Sequence, residues 1–322
     1  MIGITRSGSV QVLKGIVVTG LVLIIIDNLS LPGHGRLSRA VNNAGHIPLF
    51  GFVALAMLAI IRSAWSKSQN HLLACYGMAF AAAGSLGAGT ELMQYFGPRD
   101  ADLWDLLRDL VGAFSFLAIF ATYDRHQTKL PGMDSAKVRT VLRWTGISLL
   151  TLGFSSVMLW SAAFFYRNTQ MPVICNFDSY LHTRFVRLQN ATLEPVSEID
   201  GLGEGAVLTL EMGKFPGLSI EDVYPDWTGY DSLIIEINSL SDSIIMVSLR
   251  IDDVHHNWEY EDRYTGRFEL TPGANRIAIS LFDVKHGPNQ RLQDMQEIAT
   301  MLIYGTSSAS GAKLFMQRIS LK

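Results

Sequence analysis

The stretch Val141–Arg167, VLRWTGISLLTLGFSSVMLWSAAFFYR, is where the chain changes character. From Ile147 to Tyr166 it carries no charged residue. That is about the 20 apolar residues a helix needs to cross ~30 Å of hydrocarbon. Toward the N-terminus four more apolar stretches follow the same pattern, Lys14–Leu31, His46–Ala64, Leu72–Phe96 and Leu103–Tyr123, and the fifth runs over Val141–Phe165. Charges are nearly absent from their middles, and no polar face of consistent width repeats at helical period, as a soluble bundle would require. Toward the C-terminus the runs stop. Short alternating segments replace them, separated by turn signals such as Pro225-Asp226, Thr228-Gly229, Pro272-Gly273 and Ser310-Gly311.

The charge balance divides at the same place. Residues 1–167 hold 14 Lys+Arg against 8 Asp+Glu, a net of +6, whereas residues 168–322 hold 12 against 21, a net of −9. Over the whole chain 48% of residues are hydrophobic and 17% charged, with mean hydropathy +0.22. An ordinary soluble domain is about 25% charged. An acidic second half argues against a nucleic-acid partner, whose phosphate backbone needs a basic surface. The expected fold is therefore an all-α five-helix transmembrane bundle over residues 1–167 followed by an all-β jelly-roll sandwich over 168–322.

Lys and Arg in the connections set the orientation. One side holds Arg6, Lys14, Arg62, Lys67, Arg125, Lys129, Lys137, Arg139 and Arg143, and the other Arg36, Arg39 and Arg99. Nine against three places the N-terminus in the cytoplasm. After five crossings the second half lies in the periplasm or outside the cell, and the localisation expected is the inner (cell) membrane. The first stretch has a basic start but no small-residue cleavage pattern before Asp27-Asn28-Leu29-Ser30-Leu31-Pro32, so it reads as a retained helix. Cys75 and Cys175 fall on opposite sides and read as free thiols.

Ionisable residues inside a span are costly, so each one is a candidate for function. The informative run is Thr90-Glu91-Leu92-Met93-Gln94-Tyr95-Phe96-Gly97-Pro98-Arg99-Asp100-Ala101-Asp102-Leu103-Trp104-Asp105, continuing to Arg108 and Asp109. Glu91 and Gln94 share a helix face, as do Asp102, Asp105, Asp109 and Gly112. With His46 on the same side, the expectation is one outward-facing polar cluster of His46, Glu91, Gln94, Arg99, Asp102, Asp105, Arg108 and Asp109. Gly84, Gly87 and Gly89 read as close helix packing. Trp65, Trp104, Trp144 and Trp160, near segment ends, suit an interfacial belt.

The order Glu-x-x-Gln-x-x-x-Pro-Arg-x-x-Asp-x-x-Asp, preceded by His46 and Phe50, resembles the VanZ-like membrane family over about residues 40–122. The resemblance implies an envelope membrane protein of a family named for low-level resistance to the glycopeptide teicoplanin. This chain departs from the family pattern at Asp109, where members usually carry Asn, and at Asn42-Asn43-Ala44-Gly45, where they often carry Lys.

In the second half, strands are expected at Val173–Phe177, Ala206–Met212, Ser232–Asn238, Ile244–Ile251, Gly266–Leu270, Arg276–Leu281, Thr300–Tyr304 and Leu314–Leu321. The segments around Asp226-Trp227-Thr228-Gly229-Tyr230, Leu270 to Asn275 and Arg318 to Leu321 resemble the galactose-binding-like jelly rolls found as carbohydrate-binding modules, over about residues 175–322. That resemblance implies Trp227 and Tyr230 in the core. The loop Asp252–Arg263 embeds aromatics among polar groups. Asp253, His256, Trp258, Tyr260 and Arg263 supply the flat apolar faces and hydrogen-bonding groups that sugars need. The membrane half has no paired-His spacing; in the second half His255-His256 beside acidic residues offers ligands for Ca²⁺ or Zn²⁺ but lacks EF-type spacing, and Gly201–Gly205 lacks a dinucleotide-binding context, so no metal and no cofactor is the expectation.

These observations lead to an envelope protein that holds a glycan or glycolipid beside the lipid bilayer, with Arg99 and Arg108 pairing with anionic lipid groups. The alternative is an enzyme on a lipid-linked glycan at the outer leaflet. His46 or Glu91 would then be general base, with Asp105 holding a cation or orienting His46.

Overall fold

The computed structural model describes residues 35–64, 72–96, 102–124, 135–199, 201–306 and 309–322. The expected helix over 14–31, Trp65, the Gly97-Pro98 turn and Arg99 lie outside the described residues. The chain falls into two compact units, Met1–Trp160 and Ser161–Lys322.

The first unit is helical. Helices α1 (Arg36–Ala64), α2 (Leu72–Tyr95), α3 (Leu103–Tyr123) and α4 (Ala136–Thr169), the last continuing into the second unit, are each long and apolar enough to cross a membrane. Helix α1 begins ten residues before the apolar run does, because nothing in Arg36–Gly45 breaks a helix although it is polar. His46 therefore sits well inside α1. Helix α4 likewise outruns its apolar stretch at both ends.

The core joins Phe50, Val53, Ala54, Met57 and Leu58 of α1 to Cys75, Ala79 and Ala83 of α2 and to Ala113 and Leu117 of α3. Small residues permit the approach. A Cβ on Gly112 would lie 2.1 Å from the Ile47 carbonyl oxygen, and one on Gly84 2.9 Å from the Leu110 side chain, whereas Gly89 faces open space. The expected packing role therefore belongs to Gly84 and Gly87 but not to Gly89. The outer surface is apolar too, with Phe52, Leu92, Met93, Leu107, Phe114, Val141, Leu152 and Met158 exposed.

The second unit holds two antiparallel sheets. One joins β3 (Ala191–Val196), β4 (Gly205–Leu210), β11 (Lys313–Leu321), β6 (Ser232–Ser239) and β9 (Gly273–Ser280) in that order, with β1 (Val173–Asn176) also on β11. The other runs β2 (Val186–Gln189), β5 (Gly217–Glu221), β10 (Ile298–Gly305), β7 (Ile245–Asp253), β8 (Tyr264–Leu270). Short helices α5 (Tyr180–Thr183) and α6 (Leu281–Lys285) fill connections. Their apolar faces enclose Trp227, Phe177, Phe185, Phe315, Leu208, Leu233, Ile235 and Ile220, all almost fully buried. Trp227 is thus a core residue, its indole N–H donating to the Tyr224 carbonyl at 2.8 Å, whereas Tyr230 is half-buried.

Three strands escape the sequence pattern. Strand β2 has an exposed polar face, β3 is an edge strand carrying Pro195, and β5 opens on a glycine. All three have few apolar alternations to read, and β3 can hold Pro because it is an edge.

Candidate functional site

The five-stranded sheet turns one face to the core and the other to solvent. Along β10, Met301 and Ile303 point inward while Thr300, Leu302 and Tyr304 point outward. Register carries the outward row across the sheet. Tyr304 stands opposite Gly217 on one side and Ser248 on the other, and Leu302 opposite Ser219 and Arg250. Small residues beside Tyr304 leave a trough, and Gly217 has no space for a side chain, since a Cβ would lie 2.1 Å from the Ile303 carbonyl oxygen. The result is an open groove of about 190 Å³ lined by Gln189, Phe215, Ser219, Arg250, Leu302, Tyr304 and Arg263 among others.

Phe215 forms an aromatic wall. Its ring meets that of Tyr304 edge-on, centroids 5.5 Å apart at 89°, although it is itself largely exposed. It holds a left-handed backbone, φ 53°, and Trp258 does the same at φ 73° while 85% exposed. Left-handed backbone is unfavourable for a bulky residue, and aromatic burial does not repay it at either position.

The loop expected to bind sugar divides between clasp and surface. Asp252 and Asp253 are the last residues of β7, not loop. Asp253 is buried and faces Arg291, whose Nη2 donates to Oδ1 at 2.7 Å and Nη1 to Oδ2 at 2.5 Å. The backbone N–H of Asp294 adds a bond at 2.7 Å. Arg291 also donates through Nε to Asp262 at 2.5 Å. Burial pulls the Asp253 carboxyl upward, but the hydrogen bonds from Arg291 and Asp294 outweigh it and hold it below the usual carboxylate range. The same arginine holds Asp262 low. His256 is turned inward as well, its Nδ1 2.8 Å from the Asp262 carbonyl oxygen. Asp253 and His256 therefore staple the loop and do not face solvent; an acid beside an arginine pairs when the fold brings them together. Tyr260 and Trp258 remain exposed, and Arg263 lies over the Tyr260 ring at 4.9 Å while lining the groove. Sequence reading missed Gln189, Phe215, Arg250 and Tyr304. The signal available for Tyr304 was period-2 alternation in β10, which marks it as an outward-facing aromatic.

Among the described residues one group brings three possible metal donors together. His255, Asp294 and Glu297 place one ligand atom each within 4.8 Å of the others, at the surface.

In the helical unit, four of the expected cluster meet. His46 Nδ1 lies 2.9 Å from Asp109 Oδ1, and Nε2 lies 3.8 Å from Asp105 Oδ2. Arg108 is paired with Asp105, which takes up a guanidinium expected to meet lipid phosphate. Glu91 is buried and accepts the Asp102 backbone N–H at 2.8 Å; the Asp102 side chain caps α3 by accepting from the Trp104 N–H at 2.9 Å. These two serve the α2–α3 joint. Asp109 is fully buried, and its Oδ2 has no hydrogen-bond partner among the described residues. A half-buried histidine oriented by a buried carboxylate, with its other nitrogen toward a second carboxylate, has the form of an acid–base group. Gln94 is half-buried on α2. The opposite end of the bundle carries a network that sequence reading missed. Asp124 pairs with Arg62 and accepts the Tyr76 hydroxyl at 2.9 Å.

No protein-family profile matches the chain, and no curated protein does. Among solved structures, the family 11 carbohydrate-binding module from Clostridium thermocellum, in complex with a β-1,3-1,4-mixed-linked tetrasaccharide, is similar at 13% identity over 46% of this chain and 93% of that one, with a TM-score of 0.37. An exo-β-agarase is similar at 16% identity over 47% of this chain, TM-score 0.37. The CBM22-1–GH10 modules of the Clostridium thermocellum endo-1,4-β-D-xylanase 10B, complexed with xylohexaose, are similar at 11% identity over 46% of this chain and 27% of that one, TM-score 0.32. The chain spans 24% of the agarase's length.

Proposed function

We propose that this is a multi-pass protein of the cell membrane whose C-terminal sandwich holds an envelope glycan, free or lipid-linked, in the groove across β2, β5, β10, β7 and β8. The observation that carries the reading is the ring pair of exposed Phe215 and half-buried Tyr304, set edge to face over a floor of glycine and serine and flanked by Gln189 and two arginines. Sugar rings dock their C–H faces on such aromatics and their hydroxyls on such polar groups. The apolar outer surfaces of four helices support membrane spanning. The Lys and Arg distribution supports an outward sandwich. The VanZ-like motif supports an envelope role connected with glycopeptide resistance.

The test is glycan binding by the full chain in lipid nanodiscs, measured by array and then calorimetry. Tyr304→Ala is expected to weaken binding at least tenfold while the thermal transition is kept; a glycan bound equally well by that variant removes the groove from the reading. Orientation is tested separately. Both native cysteines are buried, so a cysteine introduced at exposed Ser243 should react with an impermeant maleimide in intact spheroplasts. Protection until lysis would put the sandwich in the cytoplasm.

The His46–Asp109 contact supports a second reading, a membrane enzyme on a lipid-linked glycan with His46 as base and Asp109, in place of Asp105, as its orienting carboxylate. Turnover of a labelled lipid-linked sugar that survives His46→Gln at full rate would end that reading.

A further inference from the structure

We propose that the groove selects a glycan bearing an isolated oxyanion, a uronic-acid carboxylate or an ester of the same charge, and that Arg263 is the residue that reads it. The proposal rests on the glycan-binding reading above. The second half of the chain is acidic, with 21 Asp+Glu against 12 Lys+Arg. Its groove is not: the lining holds two guanidinium groups and no carboxylate.

The two arginines differ in what they have left to offer. Arg250 is committed, donating through Nε to Asp252 Oδ1 at 2.8 Å and pairing through Nη2 with Oδ2 at 2.7 Å. Arg263 makes no ion pair with any described residue. Its Nε is enclosed without an acceptor, and its guanidinium carbon lies 4.9 Å from the Tyr260 ring centroid, a contact that places the charge without neutralising it. The acids next to it in sequence are occupied elsewhere. Asp262 is held by Arg291, and Glu261 accepts from the Asn289 side chain at 2.7 Å. With Nε enclosed, the edge left for a ligand is the Nη1–Nη2 pair; a guanidinium with no carboxylate partner at the rim of an aromatic groove matches an oxyanion through two parallel hydrogen bonds. The acidic surroundings add a limit. A polyanion would be repelled along its length by the acidic half, whereas a single charge among neutral sugars meets Arg263 at contact, and the nearby acids Asp252, Asp262 and Glu261 are already held by Arg250, Arg291 and Asn289.

The experiment is calorimetric titration of the full chain in nanodiscs with matched trisaccharides on glucose, galactose and N-acetylglucosamine backbones. Each set has a neutral member, one with a single carboxylate and one with a single sulfate ester. The expected result is an anionic member bound about tenfold more tightly than its neutral match, a preference that shrinks as salt is raised. Whichever anionic arm wins names the source of the charge. Arg263→Gln should bring the anionic-to-neutral ratio to about one, and Arg263→Lys should restore part of it. Neutral sugars bound as tightly as their charged matches by the native chain overturn the proposal and leave the glycan-binding reading standing. Failure of all nine to bind overturns both. A preference that survives Arg263→Gln overturns the assignment to Arg263.

Discussion

Replacing Arg291 with methionine tests whether the clasp beneath the Trp258 loop holds as its geometry implies. The Asp253 side chain has no solvent exposure, and Arg291 binds both of its carboxylate oxygens. Removing one partner of a buried pair costs about 3–5 kcal/mol, because a charge is left uncompensated. Two backbone N–H groups, Asp294 at 2.7 Å and His255 at 3.2 Å, would still serve Asp253, so the lower end, about 3 kcal/mol, is expected. For a unit of this size each kcal/mol moves Tm by about 2–4 °C, giving a fall of roughly 9 °C.

The assay is scanning calorimetry of the full chain in nanodiscs, with limited proteolysis between Val254 and Arg263 as the local readout. Arg291→Met combined with Asp253→Asn should cost at least about 1 kcal/mol less than the two single losses added together, because the pair is coupled. The pH dependence has a definite sign. Asp253 and Asp262 are held below their ordinary value of 3.8, so the clasp's contribution is present above that value and lost as pH falls through the lower folded-state one. Arg291→Met should remove that acid-side loss along with the stability. A Tm change under about 2 °C, or additive single and double losses, would refute the argument that the pair is buried and coupled.

His182 offers a second pH test. It is buried, and its Nδ1 accepts the Asn176 backbone N–H at 2.9 Å. Burial is the main reason its folded-state value lies below the ordinary 6.5, with Arg167 adding to the effect and Asp178 opposing it. Stability is therefore present above 6.5 and lost as pH falls through the folded-state value, and His182→Gln should flatten that part of a Tm-against-pH curve. At Gly217, valine would collide with the β10 backbone and is expected to cost about 2–4 kcal/mol by thermal denaturation, with groove binding lost; a silent substitution would mean that β5 does not lie as described. In the bundle, Asp109→Asn keeps a hydrogen-bonding side chain of the same shape beside His46. It should retain packing and thermal stability in nanodiscs to within about 1 kcal/mol, whereas Asp109→Leu, which leaves His46 without its partner, should weaken the α1–α3 contact. Equal stability of the two variants would show that the His46–Asp109 bond contributes nothing.

Much of the fold was legible because its signals are local. An uninterrupted apolar run such as Ile147–Tyr166 identifies a long helix without knowledge of its neighbours, and alternation in Leu233-Ile234-Ile235-Glu236-Ile237 identifies a strand. The polar cluster was partly legible for the same reason, since helical spacing puts Asp105 and Asp109 on one face. Strand β5 was not legible. Its glycine start is meaningful only against the Ile303 carbonyl of another strand, and nothing in Pro216-Gly217-Leu218 announces that partner.

The sequence by itself determined the division into an apolar helical half and an acidic β half, and the residue types at His46 and around Trp258. Only the tertiary structure decided which of those residues remain available. Arg291, nearly thirty residues from the loop, takes Asp253 and Asp262 out of a ligand's reach, while Tyr304, Phe215 and Arg263 gather in one groove from separate strands and turns. Periodicity shows which face a side chain takes, but ion pairing and groove shape depend on distances between segments far apart in the chain, and those exist only once the sheets have formed.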